Sequence, residues 1–340
     1  MSQVSTPPSA SPYLSPQIHL TKQPILWLRA FWKFARPHTI IGTSLSVLGI
    51  FVLAFGGNEE WTTVASLSRL EGGHHLLSLP FFFSLVLTLV ACLCGNVYIV
   101  GLNQLEDVAI DRINKPHLPL ASGEFSRQQG IWIVSVMAIL AIALAWLQGS
   151  YLLAMVLISL FIGTAYSLPP IRLKRFPFWA SLCIFTVRGV VVNLGLFLHF
   201  NQGFPIPAKL WTLTLFILVF TLAIAIFKDI PDAEGDRQYN ITTFTLKLGQ
   251  RAVFNLTRWI LTACYVGIIL ATIFGLPGIN APLLIGTHLA AISLFWVRSF
   301  SVDLKDKAAI SRFYQFIWKL FFLEYLLFPI LCLPWLNTTI

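Results

Sequence analysis

The chain has 340 residues, 56% of them hydrophobic and only 11% charged, with a formal net charge of +9. Apolar runs of about twenty residues recur along it, which excludes a soluble domain and makes it a polytopic membrane protein. The excess of positive charge then reads as membrane topology and contact with anionic head groups, not as nucleic-acid binding.

Residues 1–23 are rich in Ser, Pro and Gln and hold neither an apolar core nor an Arg. They fit neither a secretory signal nor an Arg-rich transit peptide, and a disordered tail is expected. Over residues 24–36, Arg29, Lys33 and Arg36 recur at helical spacing against Ile25, Leu28, Phe31, Trp32 and Phe34, the pattern of an interfacial helix lying on the membrane. Residues 24–340 are expected to form one membrane domain.

Its apolar segments run at 39–55, 81–102, 130–147, 152–168, 178–200, 210–227, 253–274, 282–297 and 313–333, each near the length that crosses about 30 Å of hydrocarbon. Lipid offers the backbone no hydrogen bonds, so runs this continuous predict helices rather than a barrel. The expected fold is all-α, nine transmembrane helices in a bundle around a central cavity. The N-terminal segment and the connections after the second, fourth, sixth and eighth runs carry eighteen of the 23 Lys and Arg; the opposite connections carry Arg69 and Lys209. That asymmetry puts the first set on the cytoplasmic or stromal-type side. The longest connection on the far side, 56–79, holds adjacent His74 and His75, but Glu59 and Glu60 are not at ligand-like spacing for a metal there. All five cysteines fall inside apolar runs, where a thiol behaves as a small hydrophobe.

Eight of the fourteen acidic residues sit in two short polar stretches that end the second and sixth runs: Glu106, Asp107, Asp111 and Glu124, then Asp229, Asp232, Glu234 and Asp236. Their matching positions, four helices apart, suggest a weak internal duplication. In the first stretch, steps of four keep Asn103, Asp107 and Asp111 on one face of a helix. Three oxygen donors in such a row can hold Mg2+ while leaving positions for water and phosphate. In the second, steps of three and four align Asp229, Asp232 and Asp236, although Pro231 and Gly235 weigh against a continuous helix. Arg112, Lys115, Lys228 and Arg237 are interleaved with these acids, which suits a polyanionic ligand: metal ions bridge Asp to a diphosphate and the cations neutralise the remainder.

These two motifs, with the run Ala165-Tyr166-Ser167-Leu168-Pro169-Pro170-Ile171-Arg172-Leu173-Lys174-Arg175, resemble the UbiA superfamily of intramembrane aromatic prenyltransferases over essentially the whole chain from residue 30. Within it, the Asn114-Lys-Pro-His-Leu-Pro-Leu-Ala-Ser-Gly123 ending, the Arg36-Pro-His38-Thr39 entry, the stretch 227–237 and the stretch 313–325 resemble the branch that joins phytyl diphosphate to homogentisate in tocopherol biosynthesis. The absence of a plastid-type leader points to a cyanobacterial type, in a thylakoid or plasma membrane.

The resemblance implies that Asn103, Asp107, Asp111, Asp229, Asp232 and Asp236 hold Mg2+ and that Asn103, Lys174 and the interleaved cations take the diphosphate. It puts Tyr166 near the reacting carbon and leaves acceptor choice to Arg36, His38, Arg188 and Asn193. The substrates would be a prenyl diphosphate and an aromatic acceptor, within the bilayer and with no obligate protein partner. Arg188 falls near the middle of the fifth run, where an unpaired charge costs at least about 2.5–3.5 kcal/mol and should face the bundle interior. Two roles stay open for it: a clamp for an acceptor carboxylate or the diphosphate, or an ion pair with Glu324, the one acid inside any run. Within the superfamily, a homogentisate solanesyl- or geranylgeranyltransferase and a chlorophyll synthase stay open as alternatives. A transporter is the rival of a different class, but its ionisable groups concentrate at mid-membrane on broken helices rather than at span ends on one side.

Overall fold

The computed structural model describes residues 17–56, 79–239 and 241–337. His74 and His75, and residues 1–16 of the expected tail, lie outside the described residues. Every regular element among them is a helix. In chain order these are α1 (Pro24–Phe34), α2 (Pro37–Phe55), α3 (Leu79–Glu106), α4 (Val108–Asn114), α5 (Pro119–Ser122), α6 (Arg127–Gln148), α7 (Ser150–Ser167), α8 (Pro177–Phe200), α9 (Ala208–Phe227), α10 (Asp229–Gln238), α11 (Phe244–Leu248), α12 (Gln250–Ile273), α13 (Ala281–Phe300), α14 (Lys307–Leu331) and α15 (Pro334–Asn337). Nine of these, α2, α3, α6 to α9 and α12 to α14, are long and apolar enough to cross a membrane.

Several spans begin earlier than hydropathy suggests, because polar first turns are helical when a cap satisfies their free N–H groups. Ser126 and Gln129 form a reciprocal capping box at the start of α6. Asp306 accepts from the Ala308 N–H and starts α14 six residues before its apolar run.

The spans close a ring: α2 packs on α3, α3 on α6 and α7, α7 on α8, α8 on α9, α9 on α12, α12 on α13, α13 on α14, and α14 returns to α2. The last contact is close, since a Cβ added at Gly49 of α2 would stand 2.5 Å from the Tyr325 carbonyl oxygen of α14. Small residues are what allow backbones in a membrane to approach so far. Helix α9 is the most enclosed, with 67% of its apolar window buried against 28–50% in the other spans.

Helix α1 buries Ala30 and Phe34 and turns Ile25, Leu28 and Trp32 outward, the two-faced arrangement expected of a helix lying in the interface. The chain before it is not free throughout: the Ile18 N–H donates to the Glu124 carbonyl, and Gln129 Nε2 donates to the Ile18 carbonyl. The expectation of a disordered tail reaching to residue 23 therefore does not hold for this end of it, because Ile18 is paired to the entry of α6.

Candidate active site

The first acidic stretch is two helices with a kink between them. Asp107 leaves helical geometry (φ −111°, ψ 15°) and caps α4. Yet its N–H still bonds to the Asn103 carbonyl, and the Asp111 N–H bonds to the Asp107 carbonyl. The four-residue register survives the kink, so Asn103, Asp107 and Asp111 share a face as expected and all three line one cavity. The second stretch is the continuous helix α10 despite Pro231, which falls in its first turn, where no intrahelical N–H is required. Asp229, Asp232 and Asp236 line the same cavity. The two stretches lie side by side, α4 against α10.

Cations hold most of these acids. Asp107 accepts from Arg172 Nη2 at 3.1 Å and faces Lys174 Nζ at 2.7 Å; Lys174 also donates to Asn103 Oδ1. Arg36 Nη2 stands 3.8 Å from Asp111 Oδ2, and Lys115 Nζ donates to Asp232 Oδ2 at 2.5 Å. Lys228 lies 3.9 Å from Asp229 and donates to the Tyr166 hydroxyl at 2.9 Å, its ammonium 5.6 Å from the Tyr166 ring centre. Arg36 and Arg172 both have left-handed backbones (φ 53° and 39°), an unfavourable conformation for a side chain with a Cβ that persists where the surroundings hold it.

Four expectations need correction. Arg112 and Arg237 are exposed and absent from the cavity wall: each directly follows a lining Asp, and one residue is about 100° around a helix. Arg36, expected at the acceptor, sits with Asp111 at the acidic end. Asn193, also expected there, is fully buried behind the wall; its Nδ2 donates to the Gly189 carbonyl and its Oδ1 accepts from the Tyr325 hydroxyl. Glu106, Glu124 and Glu234 are not cavity residues either; the first two pair with Arg127 and Lys33.

Arg188 is settled as to its partner. Glu324 pairs with His288 at 3.2 Å, not with Arg188. The Arg188 guanidinium lines the cavity over the rings of Trp318 (5.2 Å) and Phe321 (5.6 Å), and no carboxylate among the described residues pairs with it. It is carried on a π-helical turn, Thr186–Val191, within α8, an irregularity common at functional sites. The bond from Asn193 to Gly189 ties down that turn. His38, whose ring centre is 5.0 Å from that of Trp318, completes this part of the wall.

Sequence reasoning gave no role to Arg172, Asn96, Tyr314, Trp318 or Tyr325, all of which line the cavity. Trp318 and Tyr325 are seven residues apart on α14, a helical-face signal that was legible. Asn96 donates to Thr39 Oγ1 from within an otherwise apolar run, and a lone amide there carries no pattern.

As a test of the donor set for Mg2+, all six lining candidates offer hard oxygens, the ligand type this ion takes. Asp111 Oδ2 is buried without a hydrogen-bond donor, and the Asp236 carboxylate has no protein partner among the described residues. Burial first, then repulsion from Asp232 and Asp229, pushes the Asp236 carboxyl up to about 7; Asp229 is pushed up to about 6, again by burial first. Asp236 is thus a buried carboxylate with no paired cation among the described residues, and the cations nearest Asp111 and Asp229 stand beyond hydrogen-bond distance, at 3.8 and 3.9 Å. No three His, Cys, Asp or Glu side chains among the described residues converge tightly enough to enclose an ion by themselves, so water and phosphate oxygens would have to complete its shell.

A pH dependence follows. A carboxyl raised in the folded state contributes stability below the ordinary carboxylate range, and that contribution is lost as pH rises through the raised value, here about 6–7. The metal-free protein should therefore lose stability as pH rises to neutrality, and Mg2+ should stabilise it more at about pH 8 than at about pH 6, because bound metal displaces those protons. Thermal unfolding in detergent at both pH values, with and without Mg2+, measures this; equal stabilisation at both would contradict the assignment.

Comparison with known proteins adds three findings. The model of the UbiA prenyltransferase family matches residues 48–320. The chain is 53% identical over 92% of its length to the homogentisate phytyltransferase of Synechocystis sp. strain PCC 6803, covering 99% of that protein, and 41% identical over 89% of its length to homogentisate phytyltransferase 1 of Arabidopsis thaliana, covering 75% of it. Its fold is similar to that of a UbiA homologue from Archaeoglobus fulgidus bound to GPP and Mg2+, with a TM-score of 0.56 and 17% identity over 88% of this chain and 99% of that one.

Proposed function

Since the chain belongs to the UbiA prenyltransferase family, we propose that it transfers a phytyl group from phytyl diphosphate to homogentisate, as a step of tocopherol biosynthesis. The products are 2-methyl-6-phytylbenzoquinol, diphosphate and CO2: one ring position exchanges its proton for the phytyl carbon, and the CH2COO− side chain loses CO2 and takes up a proton. The observation that carries this reading is the polarity of one cavity, with oxygen donors and cations at one end and, further in, a guanidinium that no carboxylate among the described residues pairs with. The first end suits a metal diphosphate, the second an aromatic acid.

At the diphosphate end, Lys115, Arg172, Lys174, Lys228 and Arg36 would move from carboxylates to phosphate oxygens, giving charge-assisted hydrogen bonds. Asn103, Asp107 and Asp111 from one segment and Asp229, Asp232 and Asp236 from the other would hold Mg2+, which when bound draws charge off the leaving oxygen of the allylic diphosphate. Lys228 donates to the Tyr166 hydroxyl, which fixes the ring; its face can then stabilise the positive charge that develops on the departing prenyl carbon. Arg188 would orient the acceptor through its carboxylate. The apolar wall keeps water from competing for the cationic carbon.

Cavity length supports a diterpenyl donor. Lining residues on α3 descend from Asn103 to Ala91, twelve residues or about 18 Å at helical rise. A solanesyl chain, more than twice as long as phytyl, would have to leave this space. The basic asymmetry of the connections supports placing the acidic end on the cytoplasmic side.

Membranes containing the protein, given Mg2+, radiolabelled homogentisate and phytyl, geranylgeranyl or solanesyl diphosphate in separate reactions, test the reading. Phytylated quinol with little solanesylated product is expected. Product with another aromatic acceptor but none with homogentisate would remove the acceptor assignment.

A further inference from the structure

The two acidic segments are also joined by a contact that involves no carboxylate. Asn114, the last residue of α4, donates from Nδ2 to the Asp232 carbonyl at 2.9 Å and accepts at Oδ1 from the Gly235 N–H at 3.0 Å. One side-chain amide thus occupies a backbone acceptor and donor three residues apart on α10, in the interval between Asp232 and Asp236. The fit leaves no room for a larger residue: a Cβ on Gly235 would stand 2.6 Å from both Asn114 Oδ1 and Nδ2. On its own side, Asn114 is three residues beyond Asp111, about one helical turn, so the contact ties the segment that carries Asp111 to the one that carries Asp232 and Asp236.

We infer that Asn114 and Gly235 form a latch that holds both acidic segments as one unit before any ligand arrives, with Asn114 a positioning residue for the metal and diphosphate end. The other cross-link, Lys115 to Asp232, joins two charges with the ammonium side chain 30% exposed. Its carboxylate is one that a bound metal would claim. The amide pair is directed at backbone groups of α10 and takes up no carboxylate. The charged bridge can therefore release when ligand enters while the latch keeps the spacing of the acids. What the site binds rests on the proposed reaction; the latch is a property of the substrate-free fold.

Full-length protein in detergent or nanodiscs carries the test, as wild type, Asn114→Ala, Gly235→Ala and the double variant. Without ligand, amide exchange over 229–238 should be slow in the wild type and clearly faster in Asn114→Ala; equal exchange would overturn the latch whatever the enzyme does. In turnover, Asn114→Ala should raise the half-saturating Mg2+ concentration about ten- to a hundred-fold, the range seen when a residue supporting metal ligands is lost. The acceptor KM should stay unchanged, a split that general destabilisation would not produce. Gly235→Ala should be damaging alone but add little to Asn114→Ala, because truncating the amide makes room for the new Cβ. Multiplicative losses in the double variant would overturn the close-contact argument. A wild type that transfers no prenyl group would sink the proposed reaction and leave the exchange result standing.

Discussion

Asp236→Asn is expected to lower turnover by roughly a hundred- to a thousand-fold, the scale at which one preorganised electrostatic group acts on a transition state, while leaving the protein folded and as heat-stable as the wild type. This position separates catalysis from folding better than its neighbours do. Asp107 pairs with Arg172 and Lys174, so neutralising it would strand Lys174, a buried cation, and breaking such a pair costs about 3–5 kcal/mol. Asp236 bonds to no side chain among the described residues, and its carboxyl is pushed up to about 7 by burial and by the adjacent acids. An isosteric amide there removes repulsion and disturbs no contact. Turnover by membranes and thermal unfolding of the same preparation decide the matter: wild-type rates in Asp236→Asn would exclude this residue from the metal site.

Arg188→Leu should raise the homogentisate KM and lower kcat/KM by about a hundred-fold, with the prenyl diphosphate KM unchanged. Losing one partner of a buried charge pair costs about 2–5 kcal/mol, and about 2.7 kcal/mol is a hundred-fold in rate. Folding should not suffer, because the charge removed pairs with no carboxylate among the described residues. Arg188→Lys should recover only part of the activity, since an ammonium does not offer two parallel donors to a carboxylate. Steady-state kinetics with each substrate varied in turn would show the effect; a loss shared equally by both substrates would mean that Arg188 supports the fold of the π turn instead.

The residues themselves explain which expectations survived. Asn103, Asp107 and Asp111 could be placed on one face because a four-residue step is a local property, and the kink at Asp107 kept the hydrogen-bond register that carries it. Arg112 and Arg237 were misplaced for the complementary reason: nearness in sequence to an acid was taken as nearness in space, although each points about 100° away from the aspartate before it. Asn193 was nominated for acceptor choice, but its amide is fully used within the protein. Only the tertiary structure shows that the Asn193 amide donates to the Gly189 carbonyl of the π turn, and that Tyr325 donates to its oxygen.

By itself the sequence determined nine apolar helices, a basic asymmetry between the two sets of connections and two oxygen-rich caps, because hydropathy, charge count and helical spacing are written in runs of neighbouring residues. Tertiary structure alone decided that the caps meet through Asn114 and Gly235, that Glu324 belongs to His288, and that Arg188 is left facing the cavity. Each of those outcomes depends on residues dozens to more than a hundred positions apart, brought together by helix packing that no local pattern encodes.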